Sequence, residues 1–124
     1  VMAAGIASPA AANPPLRETA IDDGLLAVGL ADQIRKSCPE ISARMFVAVR
    51  YVMGLRQQAR DMGYSEADIT AYRRSDAEKA RLRAKGAAYL AANGVVENRP
   101  ETYCALGREE IENESQIGAL LRAN

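Results

Sequence analysis

The chain has 124 residues, and 16 lysine and arginine side chains balance 16 aspartate and glutamate side chains. This length predicts one domain, and a net charge of zero argues against a nucleic-acid-binding protein that relies on an overall positive charge. The sequence contains no histidine and no tryptophan. Because histidine is absent, Ser-His-Asp triads, Cys-His dyads and histidine-bearing zinc sites are excluded. We therefore expect a protein that is not an enzyme and that uses no catalytic residue, metal or cofactor.

The first residues have the composition of an export signal. Residues 1–12 are uncharged, small and mostly apolar, and Ala10 and Ala12 form the A-x-A pattern of a cleavage site. We predict that residues 1–15 are a signal-peptide remnant or, alternatively, a disordered tail, and that residues 16–124 form a single helical domain. The first interpretation predicts an exported, periplasmic protein. No segment has the roughly 18 apolar residues that span a bilayer, so we expect membrane association to be at most peripheral.

Cys38 and Cys104 are the two cysteines of the chain. In a small exported protein, an even number of cysteines suggests a disulfide. The loop that this bond would close is long, so the chain-entropy model gives it about 4 kcal/mol of stabilisation. The alternative is a pair of unlinked thiols, one in a loop and one buried.

Apolar residues at spacings of three and four predict the first two helices. The first covers residues 21–36 and begins with Asp22 and Asp23, at the helix end that favours acidic residues. The second covers residues 43–62 and is capped by Ser42. We expect its apolar stripe to face the core; the stripe consists of Met45, Val49, Val52 and Met53, widened by Phe46, Leu55 and Ala59. Its methionines are interpreted as core residues or, alternatively, as an adaptable groove for a partner.

Three further helices follow from their start signals. Ser65 caps a short helix, and Ser75 with Glu78 forms a capping box that opens a longer helix ending near Asn93. Pro100 suits the first turn of a fifth helix, and a short apolar helix ends the chain. We expect close packing of an alanine stripe on the fourth helix, formed by Ala80, Ala84, Ala87, Ala88 and Ala91. No strand is expected, so the predicted fold class is all-α, a small four- to five-helix bundle-like domain with one disulfide.

Two charged segments differ in sign. We call the cations between residues 73 and 85 the basic segment and predict that they form an interaction surface: Arg73, Arg74, Lys79, Arg81, Arg83 and Lys85. An acidic partner, anionic lipid or the protein's own acidic helix would offset their mutual repulsion. Few aromatic residues interleave them, which disfavours nucleic acid. The glutamates near residues 109–114 fit no calcium-loop spacing, so we expect a solvated helix face.

Four segments carry a resemblance to a known family. They are residues 34–45 (IRKSCPEISARM), 63–67 (GYSEA), 91–96 (AANGVV) and 103–111 (YCALGREEI). Together they resemble a family of uncharacterised small exported proteins of alphaproteobacteria, over roughly residues 16–122. Both cysteines lie in these segments, so the resemblance supports their pairing. It also implies genes near those of the proton-pumping NADH:quinone oxidoreductase, and an accessory or assembly role for that complex. It implies no activity.

These observations predict a non-enzymatic periplasmic protein that acts through protein–protein contact, as an accessory to a respiratory membrane complex. The expected partner is a protein, and nucleic acid is not expected. One alternative is a periplasmic stress or chaperone-like protein, which would expose apolar surface. Another is a carrier of a small apolar ligand, in which methionine and tyrosine side chains would line a pocket.

Overall fold

The computed structural model describes residues 13–124, and this part of the chain folds into five α-helices and two short strands. The helices are α1 (Ala20–Ser37), α2 (Met45–Asp61), α3 (Glu66–Arg74), α4 (Asp76–Ala92) and α5 (Pro100–Glu112). The strands are β1 (Ile41–Ala43) and β2 (Leu121–Ala123), and 3₁₀ helices cover Leu16–Glu18 and Gly118–Leu120. The predicted all-α fold class is confirmed. Most of the predicted signal or tail, residues 1–12, lies outside the described residues.

Several helices begin or end at the predicted signals. Ser65 forms a complete capping box with Asp68 at the start of α3. Ser75 accepts a hydrogen bond from the Glu78 amide at the start of α4, whereas the Glu78 carboxylate binds arginine instead of closing a second box. Gly63 and Gly94 follow α2 and α4 with φ angles of 98° and 82°. These are left-handed conformations that glycine adopts without strain, so both residues stop their helices.

α1 is the central element and packs against α2, α4 and α5. Ile34 and Cys38 are fully buried at its C-terminal end, where they pack with Tyr103 and Leu106 of α5 and with Leu90 of α4. A second, smaller cluster surrounds its N-terminal end and is formed by Leu16, Ile21, Leu55, Ala59, Tyr64 and Ile69. The two apolar clusters fix the positions of the other helices around α1.

The disulfide between Cys38 and Cys104 is confirmed, with the two Cα atoms 5.2 Å apart. Both residues are buried in the main core. The bond joins the end of α1 to the second turn of α5, and therefore links two elements that are far apart in the sequence.

The expectation that the chain has no strand is wrong. β1 and β2 pair antiparallel, with Ile41 opposite Ala123 and Ala43 opposite Leu121. Ser42, predicted as a helix cap, lies in β1, and its hydroxyl donates to the Asn124 side chain at 2.7 Å. Three-residue strands are too short for an alternating pattern to be visible in the sequence, which explains the error.

Two predicted helix faces are also wrong. Most of the expected core stripe of α2 is exposed: Phe46 is 87% accessible and Met53 64%. The stripe is correct at Leu55 and Ala59, which are the buried residues of this helix. The alanine stripe of α4 is exposed as well. α4 instead buries Leu90 and half-buries Leu82, because larger side chains remove more apolar area from water than alanine does. Periodicity alone cannot choose between two apolar faces of one helix.

Candidate functional site

A buried ionic cluster joins α1, α3 and α4. The Asp22 carboxylate is 1% accessible and accepts hydrogen bonds at both oxygens. Its Oδ2 binds Arg81 Nη1 at 3.1 Å and Lys85 Nζ at 3.0 Å, and its Oδ1 binds Arg81 Nη2 and the Tyr72 hydroxyl. The carboxylate is therefore saturated with donors and satisfies the requirement that a buried charge be paired.

The donors around Asp22 determine its ionisation. Burial raises the pKa of this carboxyl group, but hydrogen bonds from Arg81, Tyr72 and Lys85 outweigh it and lower the pKa to about 2. Burial and the bond to Asp22 raise the pKa of Tyr72, and the bonds to Asp22 and Glu78 raise the pKa of Arg81. Asp22 therefore stays ionised and Tyr72 stays neutral over the physiological pH range, so the cluster holds the three helices together rather than exchanging protons.

The cluster divides the predicted basic segment. Arg81 and Lys85 bind Asp22, whereas the other four cations of the segment are exposed: Arg73, Arg74, Lys79 and Arg83. The counter-charge of Arg81 and Lys85 thus comes from α1, and not from the acidic helix α5 as one alternative held. The interaction surface on the four exposed cations remains a prediction.

A second buried carboxylate lies on α5. Glu110 accepts hydrogen bonds from the Tyr89 hydroxyl of α4 and from the Ser115 hydroxyl. The bond to Glu110 raises the pKa of Tyr89 to about 12. The expected solvated face is therefore wrong for Glu110, while Glu109 and Glu112 are exposed as expected.

An elongated groove lies between α1 and α4, with a volume of about 780 Å³. We call it the α1–α4 groove. Its walls are mostly apolar and include Leu25, Leu26, Val28, Leu82, Gly86 and Leu90. Three cations of the basic segment also line it, Arg73, Lys79 and Arg83. The volume lies within the range of small-molecule sites. Two tyrosines, Tyr72 and Tyr103, line the groove but no methionine does, so it meets half of the condition set for an apolar-ligand carrier, which remains a prediction.

The first three turns of α2 present an apolar surface to solvent. We call it the α2 face; it consists of Met45, Phe46, Val49, Val52 and Met53. The opposite side of the same turns packs on the body through Val47, Ala48 and Tyr51, and Leu55 and Ala59 pack further along the helix. The first half of α2 is therefore apolar on more than one side. Since the core covers one side of a surface helix, this pattern in the sequence indicates that another apolar side is exposed. No comparable signal distinguished Asp22 from the exposed Asp23.

One group of potential metal ligands occurs within residues 13–124. Cys38, Glu40 and Cys104 place their ligand atoms within 4.8 Å of one another. The two sulfurs are joined in the disulfide and are not thiolates, and metal ligation requires the thiolate. Glu40 accepts a hydrogen bond from Arg108. This group therefore offers no set of free ligands.

A family model matches residues 14–122. The chain belongs to DUF5333, a family of unknown function. The matched range contains all five helices and both cysteines, and the expected membership in a family of uncharacterised function is confirmed to that extent. No curated protein and no solved structure matches this DUF5333 chain. Among residues 13–124, no helix is both long and apolar enough to cross a membrane.

Proposed function

We propose that this DUF5333 chain is a non-enzymatic interaction protein that binds a partner protein through the α2 face. The observation that carries the proposal is the exposure of five large apolar side chains on three consecutive helical turns. Their combined area is roughly 500 Å², at the upper end of the largest patch on typical monomers, which is often functional. Phe46 has the largest exposed fraction of the five, and aromatic side chains commonly provide the anchors of protein interfaces.

The charges beside the α2 face favour a partner with an acidic rim. Arg50 and Arg56 are exposed on α2, and neither forms an ion pair within residues 13–124. α2 contains no carboxylate before Asp61. An apolar groove flanked by aspartate or glutamate would therefore match this surface in both hydrophobicity and charge.

A second copy of the chain is a poorer match. In a symmetric dimer the same patch contributes from both sides, so arginines of one copy would meet arginines of the other. The patch also provides less than the roughly 800 Å² per partner of a standard stable interface. The charge argument favours a different protein as the occupant, and the small area indicates a transient contact rather than a permanent one.

In this proposal the protein is exported to the periplasm of an alphaproteobacterium and assists a respiratory membrane complex, the NADH:quinone oxidoreductase. The disulfide supports export, because such bonds form and persist in oxidising compartments. The segments that resemble exported alphaproteobacterial proteins support the connection to the complex. The α2 face is compatible with this role because it leaves an apolar surface available for docking.

Affinity purification from native membranes in mild detergent, followed by mass spectrometry, tests the proposal. We expect one complex to co-purify with the wild-type chain and to be lost with Phe46→Glu and with Met53→Glu. Gln58→Glu is the matched control, since it adds the same charge to an exposed position elsewhere on α2; it should retain the complex. Circular dichroism confirms that each variant is folded.

Three results would overturn the proposal. Equal recovery with Phe46→Glu would show that the α2 face is not the contact. Suppression of aggregation of unrelated proteins, with no single partner, would support the chaperone-like alternative. Dimerisation in light scattering, or binding to anionic vesicles, that is lost with Phe46→Glu would identify a second copy or lipid as the occupant.

A further inference from the structure

The length of the α1–α4 groove follows from the part of α4 that lines it. Its wall follows α4 from Lys79 to Ala91, which corresponds to about 18 Å at the helical rise of 1.5 Å per residue. Gly29 and Gly86 contribute to the wall and leave room where larger residues would fill it. A groove of this length with mostly apolar walls can hold an extended hydrocarbon chain.

The acidic residues at the α3 end of the groove are neutralised internally, but the cations are not. Glu78 binds Arg81 at 2.8 Å and Arg17 at 3.3 Å. In contrast, Arg73, Lys79 and Arg83 form no ion pair within residues 13–124. This end of the groove therefore carries positive charge that no carboxylate of the described chain offsets.

The other end of the groove differs in charge. Asp32 lies on the α1 wall and is neutralised by Arg35 at 2.7 Å and by Lys36 at 2.9 Å. Glu97 follows α4 and lines the far end with Val95. It forms no ion pair among the residues that the structure describes. An anionic group would therefore be favoured at the α3 end, where the lining cations are unpaired, over the far end, where the unpaired lining charge is that of Glu97; this difference fixes its orientation.

We propose that the α1–α4 groove binds a fatty acid, with the carboxylate near Lys79 and Arg83 and the acyl chain along the apolar walls. Apolar surface supplies the affinity, and the uncompensated cations select an anionic head group. This site is separate from the α2 face, because no residue of α2 lines the groove. If the groove does not bind a fatty acid, the proposal that the α2 face binds a partner protein is unaffected.

Fluorescence titration of the full chain with cis-parinaric acid, a fluorescent fatty acid, tests the proposal. We expect saturable binding with one site per chain. Dodecanoate should compete better than dodecanol by about threefold to tenfold, because the alcohol lacks the charge.

Two pairs of variants locate the site. Gly29→Leu fills the groove and should weaken binding at least about tenfold, whereas Gly54→Leu makes the same change on an exposed position of α2 and should have no effect. An added Cβ meets nothing within 4 Å at either glycine, so both variants should fold. The double variant Lys79→Gln, Arg83→Gln should weaken dodecanoate binding but not dodecanol binding, and the double variant Arg50→Gln, Arg56→Gln should change neither.

Absence of saturable binding would overturn the proposal, as would equal affinity of wild type and Gly29→Leu. Equal competition by dodecanoate and dodecanol would overturn the assignment of an anionic head group. If parinarate does not bind and Gly29→Leu instead dissociates a dimer in size-exclusion chromatography, the occupant is a second copy of the chain.

Discussion

Replacing Asp22 by asparagine should destabilise the protein more than any other single loss of charge on α1. The substitution preserves the side-chain size but removes the charge that Arg81 and Lys85 bind. Removal of one partner from a fully buried ion pair costs about 3–5 kcal/mol. Here the Arg81 and Lys85 side chains are 30% and 42% accessible and can recover some hydration, so we expect a loss of about 2–3 kcal/mol at neutral pH.

The matched control is Asp32→Asn on the same helix. Asp32 also binds one arginine and one lysine, but its side chain is 39% accessible and both of its partners are exposed. Exposed ion pairs contribute about 0–1 kcal/mol. Urea unfolding followed by circular dichroism at pH 7 measures both variants. The two sites have the same types of charged groups, so the comparison measures the effect of burial together with the additional Tyr72 hydrogen bond of Asp22.

The pH dependence provides a second measurement. The pKa of Asp22 is about 2 in the folded chain against a usual 3.8, and the difference corresponds to about 2 kcal/mol of stability. Because the folded pKa is the lower one, this stabilisation is fully present above about pH 4 and is lost as the pH falls through about 2. The gap between wild type and Asp22→Asn should therefore shrink over that window. A loss below about 0.5 kcal/mol at pH 7, or a gap that does not depend on pH, would refute this account.

Three further predictions concern stability. Reduction of the disulfide should cost about 4 kcal/mol, measured by urea unfolding with and without dithiothreitol, and no change would contradict its structural role. Gly118→Ala should destabilise the protein by about 2–3 kcal/mol, since the added Cβ would lie against the Glu110 carbonyl. Gly29→Ala should instead stabilise it by about 0.5–1 kcal/mol, because its added Cβ meets nothing within 4 Å. A higher melting temperature for Gly118→Ala than for Gly29→Ala would contradict the packing described at Gly118. Tyr89→Phe should cost about 1–2 kcal/mol, and absorbance titration should show one tyrosine ionising near pH 12. Because its folded pKa is above the usual 10.0, its stabilising contribution should fall as the pH rises from about 10 to about 12.

Local signals were sufficient to predict the helices. The capping residues Ser65 and Ser75 and the stops at Gly63 and Gly94 act through hydrogen bonds and backbone conformations within a few residues. The disulfide was predictable as well, since composition and the family resemblance both favoured pairing. The helix signals depend little on how the helices pack against one another. The disulfide does join distant residues, but it was predictable because two cysteines allow a single pairing.

The features that could not be predicted from the sequence depend on how the helices pack against one another. α2 carries one apolar side formed by Leu55 and Ala59 and another centred on Val49, and only the tertiary arrangement decides which side α1 covers. Asp22 is buried because Arg81 and Lys85, some 60 residues later, converge on it. The β1–β2 pair likewise joins segments from opposite ends of the described chain. Each of these features depends on a contact between distant residues, which a pattern within a short window does not encode.

The zero net charge conceals an uneven distribution of ion pairs. Half of the lysine and arginine residues, eight of 16, form ion pairs within residues 13–124. Most of the others lie in two places, beside the α2 face and around the α3 end of the α1–α4 groove. Both places also expose apolar surface, and an exposed apolar surface costs free energy that a partner recovers. A partner that is both apolar and anionic would cover the exposed apolar surface and pair with the free cations. The same argument therefore leads to a protein with an acidic rim at the α2 face and to a fatty acid in the α1–α4 groove.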